Sequence, residues 1–186
     1  MRNEAKEFLY RIGSKNKRKI AENIVAFMTE DIPLLQESVS FICNWVMTDG
    51  AEKTKAYYDV WDLVLKIYLP PERPVLFRSC QHLSNREIQS FTGRIYTAER
   101  FSENHTGHLL ICDTEEYLQF EDENAIEHER SFFPLSECIK KGTYRPTPYF
   151  RESFYEEYKK EDEYIVRVKR NWLYDLKWNK RNRDCY

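Results

Sequence analysis

The chain has 186 residues, 41% of them hydrophobic and 15% aromatic, which is enough to bury a full core and excludes an intrinsically disordered segment. Its formal net charge of −2 supplies no global field that would recruit nucleic acid or an anionic membrane. Five cysteines (Cys43, Cys80, Cys112, Cys138 and Cys185) show no Cys-x-x-Cys or Cys/His pairing, an arrangement that argues against a disulfide framework or a zinc site.

From the N-terminus, Met1 to Glu7 lacks the apolar run of a signal peptide, and no uncharged stretch approaches the roughly eighteen residues needed to cross a bilayer. The expectation is a cytoplasmic protein with no membrane partner, the cytoplasm of a host cell included. Residues 3–69 read as helices. Ser14 is placed to cap a helix over Lys15–Thr29, in which Ile20, Ile24, Phe27 and Met28 recur at helical spacing. Asp31, with Pro33 just after it, signals a second start, for a helix carrying Leu34, Leu35, Val39, Ile42, Val46 and Met47 and stopped by Gly50. A third helix over Ala51–Tyr68 would bury Tyr57, Val60, Trp61, Val64, Leu65 and Tyr68.

Pro70-Pro71-Glu72-Arg73-Pro74 is a stiff connector at which the texture changes from helical to strand-rich. The expected organisation is a helical layer over residues 1–69 and a catalytic core over residues 70–186, forming one compact unit. Within the core the pattern predicts strand Val75–Ser79, then a helical turn opened by Ser84 with Glu87 completing a capping box, then strand Ile88–Thr92. Helix Tyr96–Ser102 and strand His108–Asp113 follow, then an acidic loop and strand Ile126–Phe133. A proline-punctuated loop, helix Phe150–Lys160 and strand Tyr164–Lys169 lead into a tail that mixes tryptophans with Lys and Arg. The strands are short and mostly too closely spaced for repeated βαβ crossovers, so the expected class is α+β.

Three groups of residues in this core carry chemistry. Val75-Leu76-Phe77-Arg78-Ser79 is an apolar run ending on an arginine. Ser90-Phe91-Thr92 places two hydroxyls two apart on one strand. Ile126-Glu127-His128-Glu129 places two carboxylates two apart, on one side of a strand and roughly 6.6 Å from each other. With Ala98-Glu99-Arg100-Phe101 and the strand His108–Asp113 between them, this order resembles the ADP-ribosyltransferases of the arginine–serine–glutamate class. The resemblance spans Val75 to Pro134. In the family a glycine usually follows the arginine, where this chain has Ser79.

The resemblance implies a core of two small facing sheets with an NAD cleft between them, and transfer of ADP-ribose from NAD to an arginine of a target protein. It gives Glu129 the developing oxocarbenium charge on the ribose and Glu127 the acceptor arginine. A guanidinium holds its proton with a pKa above about 12, so a base is needed beside it. It gives Arg78 a phosphate of NAD, aided by Ser79, and has Ser90 and Thr92 brace the nicotinamide side and Glu129. Phe120, in the loop before the two glutamates, would meet the acceptor. No metal is implied, and His82, His105, His108 and His128 have no ligand spacing. A compact enzyme of this class, as in phage or toxin systems, fits the length. Two other functions remain open from sequence: modification of nucleic acid held by the basic, aromatic tail from Trp172 to Arg183, and a non-enzymatic binding module.

Overall fold

A computed structural model of the chain describes residues 14–102, 104–115 and 132–178. Three helices come first: α1 (Ser14–Glu30), α2 (Gln36–Met47) and α3 (Lys55–Ile67). The 3.6-residue period shows directly in burial, since α1 sinks Ile20, Ala21, Ile24 and Phe27, and α3 sinks Tyr57, Val60, Trp61, Val64 and Leu65. The start expected at Asp31 is displaced to Gln36. Asp31 sits at φ 61°, in the left-handed region that closes a helix rather than opens one. The start of α2 is tied to a neighbouring element: Asn23 Oδ1, on α1, accepts the N–H of the preceding Leu35 at 2.9 Å and the Ser38 hydroxyl at 2.7 Å. No single-helix pattern would show that contact.

Six strands follow: β1 (Val75–Cys80), β2 (Ile88–Thr92), β3 (His108–Asp113), β4 (Phe132–Pro134), β5 (Glu163–Arg167) and β6 (Tyr174–Lys177). They form one antiparallel sheet in the order β4-β5-β2-β1-β3-β6, where sequence led to two separate facing sheets. The sheet is nevertheless uneven. β1 and β3 pair along six residues, Val75 to Cys80, and β2 and β5 along five, Ile88 to Thr92. The central strands β1 and β2 share a single registered pair, Phe77 with Thr92. Two three-stranded halves therefore diverge from one seam.

Strand alternation divides the core between the two faces of the sheet. Phe133 and Ile165 point into the larger cluster with Phe41, Trp45, Trp61 and Tyr68, where Trp61 and Phe133 have ring centroids 5.5 Å apart. Their neighbours Phe132 and Val166 join Leu76, Phe91, Leu110 and Cys112 in the other cluster. The helices and the sheet thus share the larger core.

Three further α-helices, α4 (Ile95–Arg100), α5 (Leu135–Thr143) and α6 (Glu152–Tyr158), and a short 3-10 helix (Arg170–Trp172) complete the described chain. α5 has no counterpart in the sequence reading, because it follows β4 without a connecting loop and contains Gly142. That glycine is needed for packing: a Cβ there would stand 2.6 Å from the ring of Phe150. β6 was read only as tail, and all four of its residues are exposed. The capping box expected at Ser84 and Glu87 is not a helix start. Ser84 Oγ accepts the Arg86 N–H at 3.1 Å in the irregular segment that leads into β2.

Candidate active site

Where β1 and β2 diverge, a cleft of about 960 Å³ opens between the sheet and the helices. Its floor is Phe77, Arg78 and Ser79 of β1 and Ser90, Phe91 and Thr92 of β2. Glu163, the first residue of β5, enters beside Ser90. The helical layer closes one wall with Met47, Asp49, Gly50 and Lys53, and α6 closes another with Phe154, Glu157 and Tyr158.

Arg78 stitches the seam. Its Nη1 donates to the carbonyl of Ser90 at 2.7 Å, supplying a bond where the strand ladder has failed. Its buried Nε has no partner. Burial pushes the pKa of this guanidinium below its ordinary value, against the pull of nearby negative groups that include Glu163.

Glu163 is the most heavily engaged side chain in the cleft. Its Oε1 accepts the Ser90 hydroxyl at 2.5 Å and the Trp45 indole N–H at 3.1 Å, and its Oε2 accepts the Tyr158 hydroxyl. Its own N–H donates to Ser136 Oγ of α5 at 2.7 Å. Side chains from α2, β2 and α6 therefore fix one carboxylate through three neutral donors, and α5 holds its backbone. Burial raises the Tyr158 hydroxyl well above its ordinary pKa, and the charge of Glu163 adds to this, so Tyr158 serves as a donor.

Of the residues singled out in sequence, Arg78, Ser79, Ser90 and Thr92 all line this cleft. Ser90 alone of them bonds a carboxylate. Ser79 accepts the Trp178 indole N–H at 2.9 Å, and Thr92 Oγ1 accepts the backbone N–H of Arg94 at 3.2 Å. Glu127, Glu129 and Phe120 lie outside the described residues. Sequence reasoning passed over Glu163, Trp45, Tyr158 and Lys53. Glu163 carried a readable signal: Glu161-Asp162-Glu163 is another pair of glutamates two apart, followed by the strand-forming Tyr164-Ile165-Val166. Trp45, Tyr158 and Lys53 carried none, because they reach Glu163 or the cleft from helices or a helical loop remote in the chain.

Glu161 lies at the same cleft and accepts Arg100 Nη2 at 2.9 Å. Phe101, the next residue, stands half exposed at the wall. Among the described residues no group of three or more His, Cys, Asp or Glu side chains assembles to hold a metal ion, and no helix is long and apolar enough to cross a membrane. No family model matches the chain, nor does any curated protein or solved structure.

Proposed function

We propose that the protein is an NAD-dependent mono-ADP-ribosyltransferase that modifies an arginine of a target protein, with Glu163 as the carboxylate that meets the ribose. One observation carries the reading. An arginine on β1 and a serine on β2 converge with a glutamate on β5, the Ser90 hydroxyl donating to Glu163 and the Arg78 guanidinium holding the Ser90 carbonyl. Arginine, serine and glutamate occur in that order along the chain, as in the family that the sequence resembles. The uneven sheet, opening at the β1–β2 seam, is in keeping with two small sheets facing across an NAD cleft.

The chemistry follows from the charges. The bond between nicotinamide and ribose breaks with its electron pair leaving on nicotinamide, and positive charge develops on the sugar. Glu163, fixed by its three donors, stabilises that charge without having to reorganise. The acceptor nitrogen then forms the new bond to the sugar carbon and releases a proton to a carboxylate. Glu161 takes this second role. It already holds one guanidinium, that of Arg100, and an incoming arginine would exchange for it. In this proposal Glu161 and Glu163 take the roles that sequence reasoning gave to Glu127 and Glu129.

The basic tail offers less support for a nucleic-acid acceptor. Trp178 is engaged by Ser79 and packs 5.8 Å from the ring of His105, and Trp172 packs against the smaller core cluster. Those rings are not presented as stacking platforms. The test is incubation with NAD labelled in its adenylate and a cell extract, followed by recovery of label on nuclease-resistant, protease-sensitive product. Failure to release nicotinamide with any extract would refute the proposal.

A further inference from the structure

We propose that Lys53, in the loop between α2 and α3, forms with Arg78 a two-cation seat for a diphosphate, so that the helical layer selects a phosphorylated dinucleotide over an unphosphorylated nucleoside. The inference rests on the proposed function and names the group that sets its ligand preference.

Lys53 lines the cleft with Asp49 and Gly50 of the same loop. Its ammonium is parked on the face of Trp45, 3.8 Å from the ring centroid, and no carboxylate of the described residues lies within ion-pair range of it. The surrounding charges do not neutralise it directly. Glu163 is committed to three neutral donors, and Asp49 Oδ1 accepts the N–H of Ala51 at 2.9 Å in its own turn.

Arg78 faces the same space with its buried Nε unpartnered. Two cations in one cleft repel each other until an anion lies between them, and burial has already stripped both of part of their water. A partly desolvated cation with no anionic partner is costly in the empty protein, and a phosphate group repays that cost.

The cleft offers charges of both signs. The cations Lys53 and Arg78 come from the α2–α3 loop and β1, three carboxylates (Glu157, Glu161 and Glu163) from α6 and the segment entering β5, and a fourth, Asp49, from the α2–α3 loop. A ligand with a cationic ring at one end and a diphosphate at the other can pair with both signs.

The test is calorimetric titration of wild type, Lys53→Met and Lys53→Arg with NAD, ADP and nicotinamide. Lys53→Met should weaken NAD and ADP by a common factor of about tenfold to a hundredfold, the range for a lost charge-assisted hydrogen bond, and leave nicotinamide unchanged. Lys53→Arg should restore most of the loss. Circular dichroism and thermal melting establish that each variant is folded. Undiminished ADP affinity in folded Lys53→Met would overturn the role of Lys53 while leaving the proposed function standing. Equal weakening of nicotinamide would also overturn it, since the defect would then lie in the shape of the cleft. A wild type that binds neither NAD nor ADP would overturn both.

Discussion

Replacing Arg78 by Met separates a ligand-binding arginine from a structural one. The structure sets two opposing contributions to stability. Arg78 makes one charge-assisted bond across the β1–β2 seam, to Ser90 O at 2.7 Å, and losing such a bond costs about 1.5–3 kcal/mol. Against this, Met removes a guanidinium whose buried Nε has no partner, and leaving a buried polar group unpaired costs about 1–3 kcal/mol. The two nearly cancel, so net stability should change by no more than about 1 kcal/mol, or about 2–4 °C in melting temperature for a chain of this size. NAD affinity should fall by about tenfold to a hundredfold, because a guanidinium lining the cleft is gone. Calorimetric titration and thermal melting of the same preparation give both numbers. A melting temperature lowered by 10 °C or more (about 3 kcal/mol) with NAD affinity intact would refute the reasoning and leave Arg78 as a strut of the sheet.

Trp45→Phe keeps a ring under Lys53 but deletes the N–H that reaches Glu163, so nicotinamide release should slow by about ten- to a hundredfold with little change in KM for NAD. Phe133→Ala removes a fully buried ring between Trp61 and Tyr68, where the helices meet the sheet, and should cost about 3–5 kcal/mol in denaturant unfolding. Gly142→Ala forces a methyl against Phe150 and should cost about 1–3 kcal/mol by the same assay. Burial holds the pKa of Lys53 below the ordinary lysine value, an effect opposed by Glu163 and Asp49 and reinforced by Arg78. Because the anion binds the charged form, ADP affinity should fall as pH rises through that lowered value, at pH where an ordinary lysine (about 10.4) is still protonated. Lys53→Arg should remove this alkaline limb.

The elements legible in sequence were those whose signal is local. α1 and α3 announced themselves by period, and β1, β2 and β3 by short apolar runs beside turn residues. Strand neighbours were not legible in the same way. The registers that join β5 to β2 and β1 to β3 depend on pairings between residues far apart in the chain, and so did the finding that one seam nearly divides a single sheet. The site shows the same division. Arg78 and Ser90, which line the cleft, could be singled out because each ends or centres a recognisable strand. The glutamate bonded to Ser90 was not, because more than one pair of glutamates stands ahead of apolar residues in this chain and only the register of β5 against β2 brings one of them to Ser90. Asn23 and Trp45 act on α2 and on Glu163 from helices distant in sequence, where only tertiary structure assigns them a role.

Nicotinamide release from NAD by wild type, Glu163→Gln and Glu129→Gln tests the central claim most directly. Glutamine keeps the length of the side chain and one acceptor oxygen for the Ser90 hydroxyl and the Trp45 N–H; its amide NH2 then faces the Tyr158 hydroxyl, which can turn to accept, so the main loss is the charge. If Glu163 is the carboxylate that stabilises the sugar cation, Glu163→Gln should lower the rate by about a hundredfold or more, the usual cost of removing one such electrostatic group, while Glu129→Gln stays within a few-fold of wild type. A folded Glu163→Gln that releases nicotinamide at the wild-type rate, with Glu129→Gln inactive, would contradict the account and return the catalytic role to the segment before β4.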